Sequence, residues 1–254
     1  MIIDTHTHIF IEQFDKDRAE VIQRAKAVGV EKFVLPNIDS ESIEQLKKTV
    51  AEYPEDMLPL MGLHPTSVKE NWQEELAVIQ QELDNDTYYG IGEIGIDLYW
   101  DKTYLKQQQQ VFQTQLQWAK ERKLPVSIHI REAFDEVFEI VEQEKSPDLF
   151  GVFHCFTGTL EQARKAVDLG FHLGIGGVVT FKNGKIDKFL HEIPPHHLVV
   201  ETDAPWLAPT PYRGKRNEPA YIDLVVNKLA DIYQMKREEL ECVLYHASLE
   251  VFDF

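Results

Sequence analysis

Cysteine is scarce: Cys155 and Cys242 are the only two in 254 residues. A chain of this length can bury a large apolar core without disulfide staples, and the scarcity agrees with a reducing compartment. No apolar run reaches the roughly 18 residues of a membrane-spanning helix. No basic stretch followed by an apolar one opens the chain, so a soluble, cytoplasmic protein is expected. Positive charge is short as well. Against 43 Asp and Glu stand 26 Lys and Arg, a net charge of −17, which excludes a protein that grips nucleic acid across a broad basic face. It leaves open an enzyme whose cleft is made positive by bound metal. Linkers, low-complexity tracts and internal repeats are also missing. The composition, 43% hydrophobic and 27% charged, has no break, so residues 1–254 are expected to form a single domain without an obligate protein partner, as a monomer.

What is present is an alternation of short apolar runs and amphipathic stretches. Strands are expected at 1–8, 32–36, 58–63, 88–94, 125–129, 150–156, 171–179 and 198–201. Between them the 3.6-residue period predicts helices near 16–28, after a cap at Ser40, at 72–84 and 103–122, around Phe134–Val141, after Thr159, and a shorter one near 184–193. Gly29 and Gly170 stand where helices should end, and Thr159 with Gln162 forms a capping box. Two more helices finish the chain, one with Ile222, Val225, Val226 and Leu229, the other with Leu240, Val243, Leu244 and Val251. Eight strands alternating with helices read as an α/β fold, a single (β/α)8 TIM barrel with an additional C-terminal helix. An open doubly wound sheet is the other arrangement, but its Gly-rich phosphate turn straight after the first strand is absent.

The first run, Asp4-Thr5-His6-Thr7-His8, places two histidines at i, i+2, on one face of a strand. Alone, such a pair is equally well two solvated histidines near a chain end. The other strand ends decide between these. In a barrel they converge on one mouth, and there the sequence places His64, Glu93, His129, His154 and Asp203. Five of the ten histidines fall at or beside these ends, while His172, His191, His196, His197 and His246 do not. His6, His8 and Asp203, on strands one and eight, make one metal site. His129 and His154, on strands five and six, make a second, with Glu93 able to bridge. Asp203 and Glu93 are the candidate catalytic carboxylates. Glu201, at period 2 from Asp203, is expected to orient a ligand from behind.

Substrate contacts are expected from His64 and Arg131 and from the loop after strand eight. His64-Pro65 also reads as a plain loop start, and Arg131 as a surface ion pair with Glu132 or Asp135. The loop holds Trp206, Tyr212, Arg213, Lys215 and Arg216, a basic and aromatic island suited to stacking a base and holding a strand's backbone. Prolines 205, 209 and 211 make it equally a pinned loop with exposed charges.

Six segments carry a resemblance to a known family: Asp4-Thr5-His6-Thr7-His8, Gly62-Leu63-His64-Pro65, Gly92-Glu93-Ile94-Gly95-Ile96-Asp97, His154-Cys155-Phe156-Thr157-Gly158, Glu201-Thr202-Asp203-Ala204-Pro205 and Arg216-Asn217-Glu218-Pro219. In order and spacing, over essentially the whole chain, they resemble the TatD family of metal-dependent hydrolases and deoxyribonucleases, within the amidohydrolase superfamily. The resemblance implies a TIM-barrel phosphodiesterase acting 3′→5′ on single-stranded DNA, and sometimes RNA, with two divalent ions (Zn, Mn or Mg). It puts the ligand roles on His6, His8, Glu93, His129, His154 and Asp203. Two positions depart from the family pattern. Ala247 stands where an Asn is usual, five residues before Phe252, and Ile130 where a small residue is commoner. Ala247 is remote from the ligand motifs in sequence and is not expected to affect the chemistry, and Ile130, pointing away from the mouth by alternation, is expected to concern packing. Hydrolysis of a small ester, amide or phosphate on the same scaffold is the competing expectation, and a barrel that only binds metal or a partner is a third.

Overall fold

A computed structural model describes residues 1–252. Among them are eight strands: β1 (Ile2–Asp4), β2 (Val30–Pro36), β3 (Met57–Leu60), β4 (Ile91–Asp97), β5 (Val126–Arg131), β6 (Gly151–Phe153), β7 (Phe171–Ile175) and β8 (Leu198–Val200). Every ladder is parallel, in the order β1-β2-β3 and β4-β5-β6-β7-β8. Backbone hydrogen bonds beyond the ladders join the two runs. Tyr89 N–H donates to Pro59 O (2.9 Å) and Gly92 N–H to Met61 O (3.2 Å) across β3 and β4. Thr5 N–H donates to Val200 O (3.0 Å) and Asp203 N–H to His6 O (2.9 Å) across β8 and β1. The ring therefore closes as a barrel.

The helices are α1 (Arg18–Ala27), α2 (Ile43–Glu52), α3 (Trp72–Asn85), α4 (Leu105–Arg122), α5 (Phe134–Gln143), α6 (Leu160–Asp168), α7 (Ile222–Tyr233) and α8 (Arg237–Val251). The capping box of Thr159 and Gln162 opens α6 as expected. At α2 the cap is Asp39 rather than Ser40. Asp39 accepts from Ser42 N–H, Ser42 Oγ accepts from Asp39 N–H, and a 3-10 turn (Ser40–Ser42) precedes the helix. The helix expected over 184–193 is absent, replaced by the 3-10 turns Ile186–Lys188 and Leu190–Glu192. The run between Gly184 and the Pro194-Pro195 pair is no longer than α6 and, unlike α6, has no side-chain cap at its start, so it breaks into 3-10 turns. Ile186, Leu190 and Ile193 are still buried, so the period reported burial correctly and the missing cap overruled it. Strands β3, β6 and β7 are shorter than expected for a related reason. The runs 61–63, 154–156 and 176–179 are largely buried but have left the ladders, and apolar content alone does not separate a strand from a buried loop.

The core has two layers. Inside the ring, Ile3, Val34, Leu58, Leu60, Val152 and Val199 meet Ala247 and Val251 of α8 and Phe252 just beyond it. The last helix thus plugs the barrel floor, and the small Ala247, 1% exposed, is part of that plug. The outer layer, between ring and helices, holds Phe33, Ile94, Ile128, Phe112 and Leu116, with Ile130 packed against it. Both departures from the family pattern therefore lie in packing positions.

Candidate metal centre

Alternation past the end of β1 turns Asp4, His6 and His8 inward. Asp4 is fully buried and accepts from Thr202 N–H (2.9 Å) and Thr202 Oγ–H (2.6 Å), which fastens the segment after β8 to β1. Burial, only partly offset by these bonds, raises its carboxyl well above the usual range. Beside it Asp203 adopts a left-handed backbone (φ 56°), a conformation Asp tolerates better than most residues. The bond from its N–H to His6 O holds it there.

Two groups of donors result, and Glu93 belongs to both. His6 Nε2 and His8 Nε2 are 3.1 Å apart, and they lie 3.2 and 3.3 Å from Glu93 Oε2 and 3.9 and 3.8 Å from Asp203 Oδ1. The other oxygen, Glu93 Oε1, is 2.8 Å from His129 Nδ1, 3.3 Å from His64 Nε2 and 3.5 Å from His154 Nε2. Lone pairs crowded this closely repel unless a proton or a cation lies between them. Around a tetrahedral ion with bonds of about 2.1 Å, neighbouring donors stand about 3.4 Å apart. The spacing and the nitrogen–carboxylate chemistry fit a divalent metal.

The ring nitrogens facing away from the centre are mostly engaged, which fixes orientation and tautomer. His6 Nδ1 lies 3.0 Å from Ser127 Oγ, His154 Nδ1 2.9 Å from Glu201 Oε1, and His129 Nε2 3.0 Å from Asp97 Oδ2. His64 Nδ1 accepts from Thr66 N–H at 3.1 Å. Glu201 also takes Cys155 N–H (2.6 Å), and it fits only because residue 174 is glycine. A Cβ there would come within 2.2 Å of Glu201 Oε2.

Charge in the metal-free centre is uneven. Burial would lower His154, yet Glu201 and Glu93 carry it up to about 10. Burial and the neighbouring His154 hold His6 well below its usual range. Burial pushes Glu93 up, but His64, His6 and His154 outweigh it and hold the carboxylate well below. Burial, opposed by His154 and His8, lifts Asp203 to about 6. Burial would lower His129 too, yet its bonds to Asp97 and Glu93 raise it, so before an ion binds the positive charge sits on His154 and His129. A histidine raised in the folded state stabilises it fully below its unfolded value, about 6.5, and loses that contribution as pH climbs toward its folded value. Chelated protein should accordingly melt at progressively lower temperature between about pH 6.5 and about pH 10. Metal-loaded protein should not follow it over this window, since the ion has replaced the proton. Parallel denaturation series with and without chelator check this, and identical pH profiles would refute it.

A family model described as TatD related DNase matches residues 3–253. The chain belongs to this TatD family. It is 39% identical over 253 residues to YabD of Bacillus subtilis, an uncharacterized metal-dependent hydrolase, with 99% of each chain covered. It is 32% identical to YcfH of Escherichia coli K12, likewise an uncharacterized metal-dependent hydrolase, over 94% of this chain and 91% of that one. The crystal structure of YjjV, a TatD homolog from E. coli K12, superposes with a TM-score of 0.93 at 29% identity, covering 100% of this chain and 98% of the other. The protein is thus a metal-dependent hydrolase of the TatD family on an α/β barrel.

Within this TatD barrel, all six expected ligand residues and His64 converge. The remaining expectations divide. Among the described residues, Arg131 makes no ion pair with Glu132 or Asp135. It lays its guanidinium over the Tyr99 ring, 3.7 Å from the centroid. Trp206 is 44% exposed and stands edge-on to His8, ring centroids 5.0 Å apart. Arg213 lies over Phe181 at 3.6 Å. Arg216 is turned away: it grips both oxygens of Asp17 (2.8 and 2.6 Å) and Gln13 O, above Phe14. Its guanidinium is thus paired with Asp17, while the residue stays exposed.

Asp97, Ser127, Asp4 and Thr202 support the donors and carry no signal of their own in the sequence, although Asp4 shares the period-2 register of His6 and His8, and Ser127 that of His129 while bonding His6. Asp97→Asn should weaken binding at the His129 group about 10- to 100-fold while leaving the His6–His8 group loaded. Stepwise metal titration would separate the two, and equal weakening at both would contradict the assignment.

Proposed function

We propose that the protein hydrolyses phosphodiester bonds in single-stranded nucleic acid, foremost DNA and by 3′→5′ removal of nucleotides, with a divalent ion in each donor group. The observation that carries this reading is the divided Glu93 carboxylate, one oxygen aimed at His6 and His8 and the other at His129, His64 and His154. Bound there, two ions would supply an activated water at near-neutral pH and offset charge on the phosphoryl oxygens.

The chain's own residues do the rest. His6, His8 and Asp203 hold one ion, His129 and His154 the other, and Glu93 both. Asp203 takes the proton of the attacking water. Its side chain is 13% exposed, against 4% for Glu93, 2% for Asp97 and 0% for Glu201, so it is the carboxylate most open to the cleft. Glu201 and Asp97 keep His154 and His129 aimed. Trp206 offers a face for a base, and Arg213 a charge at the rim. His64, whose Nε2 lies 3.3 Å from Glu93 Oε1, would steady the phosphate.

The test is degradation of end-labelled single-stranded oligonucleotides by protein whose metal content has been measured, beside a panel of small esters, amides and phosphate monoesters. Chelator-sensitive shortening from the 3′ end is expected. Turnover confined to the small substrates would replace the nuclease reading with the small-ester one.

A further inference from the structure

Among the described residues, the large exposed apolar side chains are Met1, Val78, Tyr99, Trp100, Trp206 and Leu207. Four of these six lie in two loops, those after β4 and β8. In a ring of eight strands the fourth and the eighth are diametrically opposed, so the two aromatic loops face each other across the mouth with Glu93 between them. Leaving Trp100 71% exposed forgoes its large burial energy, and two such patches on one rim mark a binding surface.

The β4 patch is built and held in place. Tyr99 and Trp100 meet edge to face, centroids 4.9 Å apart and planes at 87°. Arg131 covers Tyr99 and reaches Trp100 at 5.4 Å. Asp97 Oδ1 accepts from Tyr99 N–H (2.9 Å) and Trp100 N–H (3.4 Å), while Asp97 Oδ2 engages His129. Gln108 of α4 in turn accepts from Asp97 N–H at 2.9 Å. A single buried carboxylate thus sets the aromatic pair in register with the second donor group.

We propose that Trp100, braced by Tyr99 and Arg131, is a base-stacking subsite on the His129 side of the scissile phosphate. It works opposite Trp206, so the substrate is a single strand with an unpaired base on each side of the cleaved bond. This rests on the nucleic-acid reading above and specifies it. A duplex keeps its base faces stacked on one another, and a small ester has only one group to place. Arg131 adds a cation beside the stacked base and the strand's backbone.

The experiment compares metal-loaded parent, Trp100→Ala and Trp100→Phe on a single-stranded oligonucleotide and on the same strand made abasic at the positions flanking the cleaved bond. Trp100 is exposed, so the fold should survive, and equal metal content in the three proteins verifies it. Stacking of one base predicts a rise in KM of about 5- to 100-fold for Trp100→Ala on the ordinary strand, falling on KM rather than kcat. Trp100→Phe should recover most of it, and the abasic strand should show no difference between parent and Trp100→Ala. An unchanged KM, or an equal penalty on the abasic strand, overturns the subsite while leaving the nuclease reading intact. A parent protein inactive on every oligonucleotide overturns both.

Discussion

Glu93→Ala is expected to lower hydrolytic turnover by at least about 10³-fold, the several kcal/mol that charge stabilisation by bound ions supplies. Glu93 offers one carboxylate oxygen to His6 and His8 and the other to His129, His64 and His154. Without it the group of His129 and His154 has no carboxylate oxygen of its own, whereas His6 and His8 still have Asp203. Loss of metal should therefore be uneven, the second ion leaving first. Elemental analysis of purified protein should find at least one ion fewer per chain than in the parent. Glu93→Gln keeps the shape but carries no charge, and should fall between the two. Two retained ions with near-parental turnover in the alanine variant would end the bridging assignment.

Asp203→Asn probes a different step. The amide fills the same space but cannot accept a proton, so kcat should fall about 10²- to 10⁴-fold, the usual worth of a positioned base. Metal content should fall less than in Glu93→Ala, because His6, His8 and the Glu93 oxygen remain. The pH profile carries the sharper signature. The working form of Asp203 is ionised, so parental activity rises as pH climbs through its titration, which lies near 6 without metal and lower once a cation sits beside it. That rising limb should be missing from Asp203→Asn. Full turnover of the variant at saturating metal would show that another group takes the proton.

Much of the centre was legible because ligand position and strand period coincide. His6 and His8 share a face by alternation, and His64, Glu93, His129, His154 and Asp203 sit at strand ends that a barrel must gather. The supports were harder to see. Asp97 matters because it faces His129 on the neighbouring strand and caps its own loop, and no single-strand pattern announces that combination. Arg216 shows a partner the sequence did not announce. It looked like part of a basic island because it follows Trp206 and Arg213 in sequence, yet its partner Asp17 is 199 positions away. Neighbourhood along a chain says which charges are near, not which way they point. In the fold, the barrel and the final helices followed from periodicity, while the missing helix before β8 turned on its uncapped start and the Pro194-Pro195 stop.

Because the ring closes where its last strand meets its first, the His6–His8–Asp203 group is assembled from the two ends of the chain. Thr5 bonds Val200 across 195 positions. A chain emerging from the ribosome through β7 already carries five of the six donors, but neither Asp203 nor the Glu201 that aims His154. Domains form as their residues become available during synthesis, so every copy that ends before Asp203 lacks the carboxylate that completes the His6–His8 group.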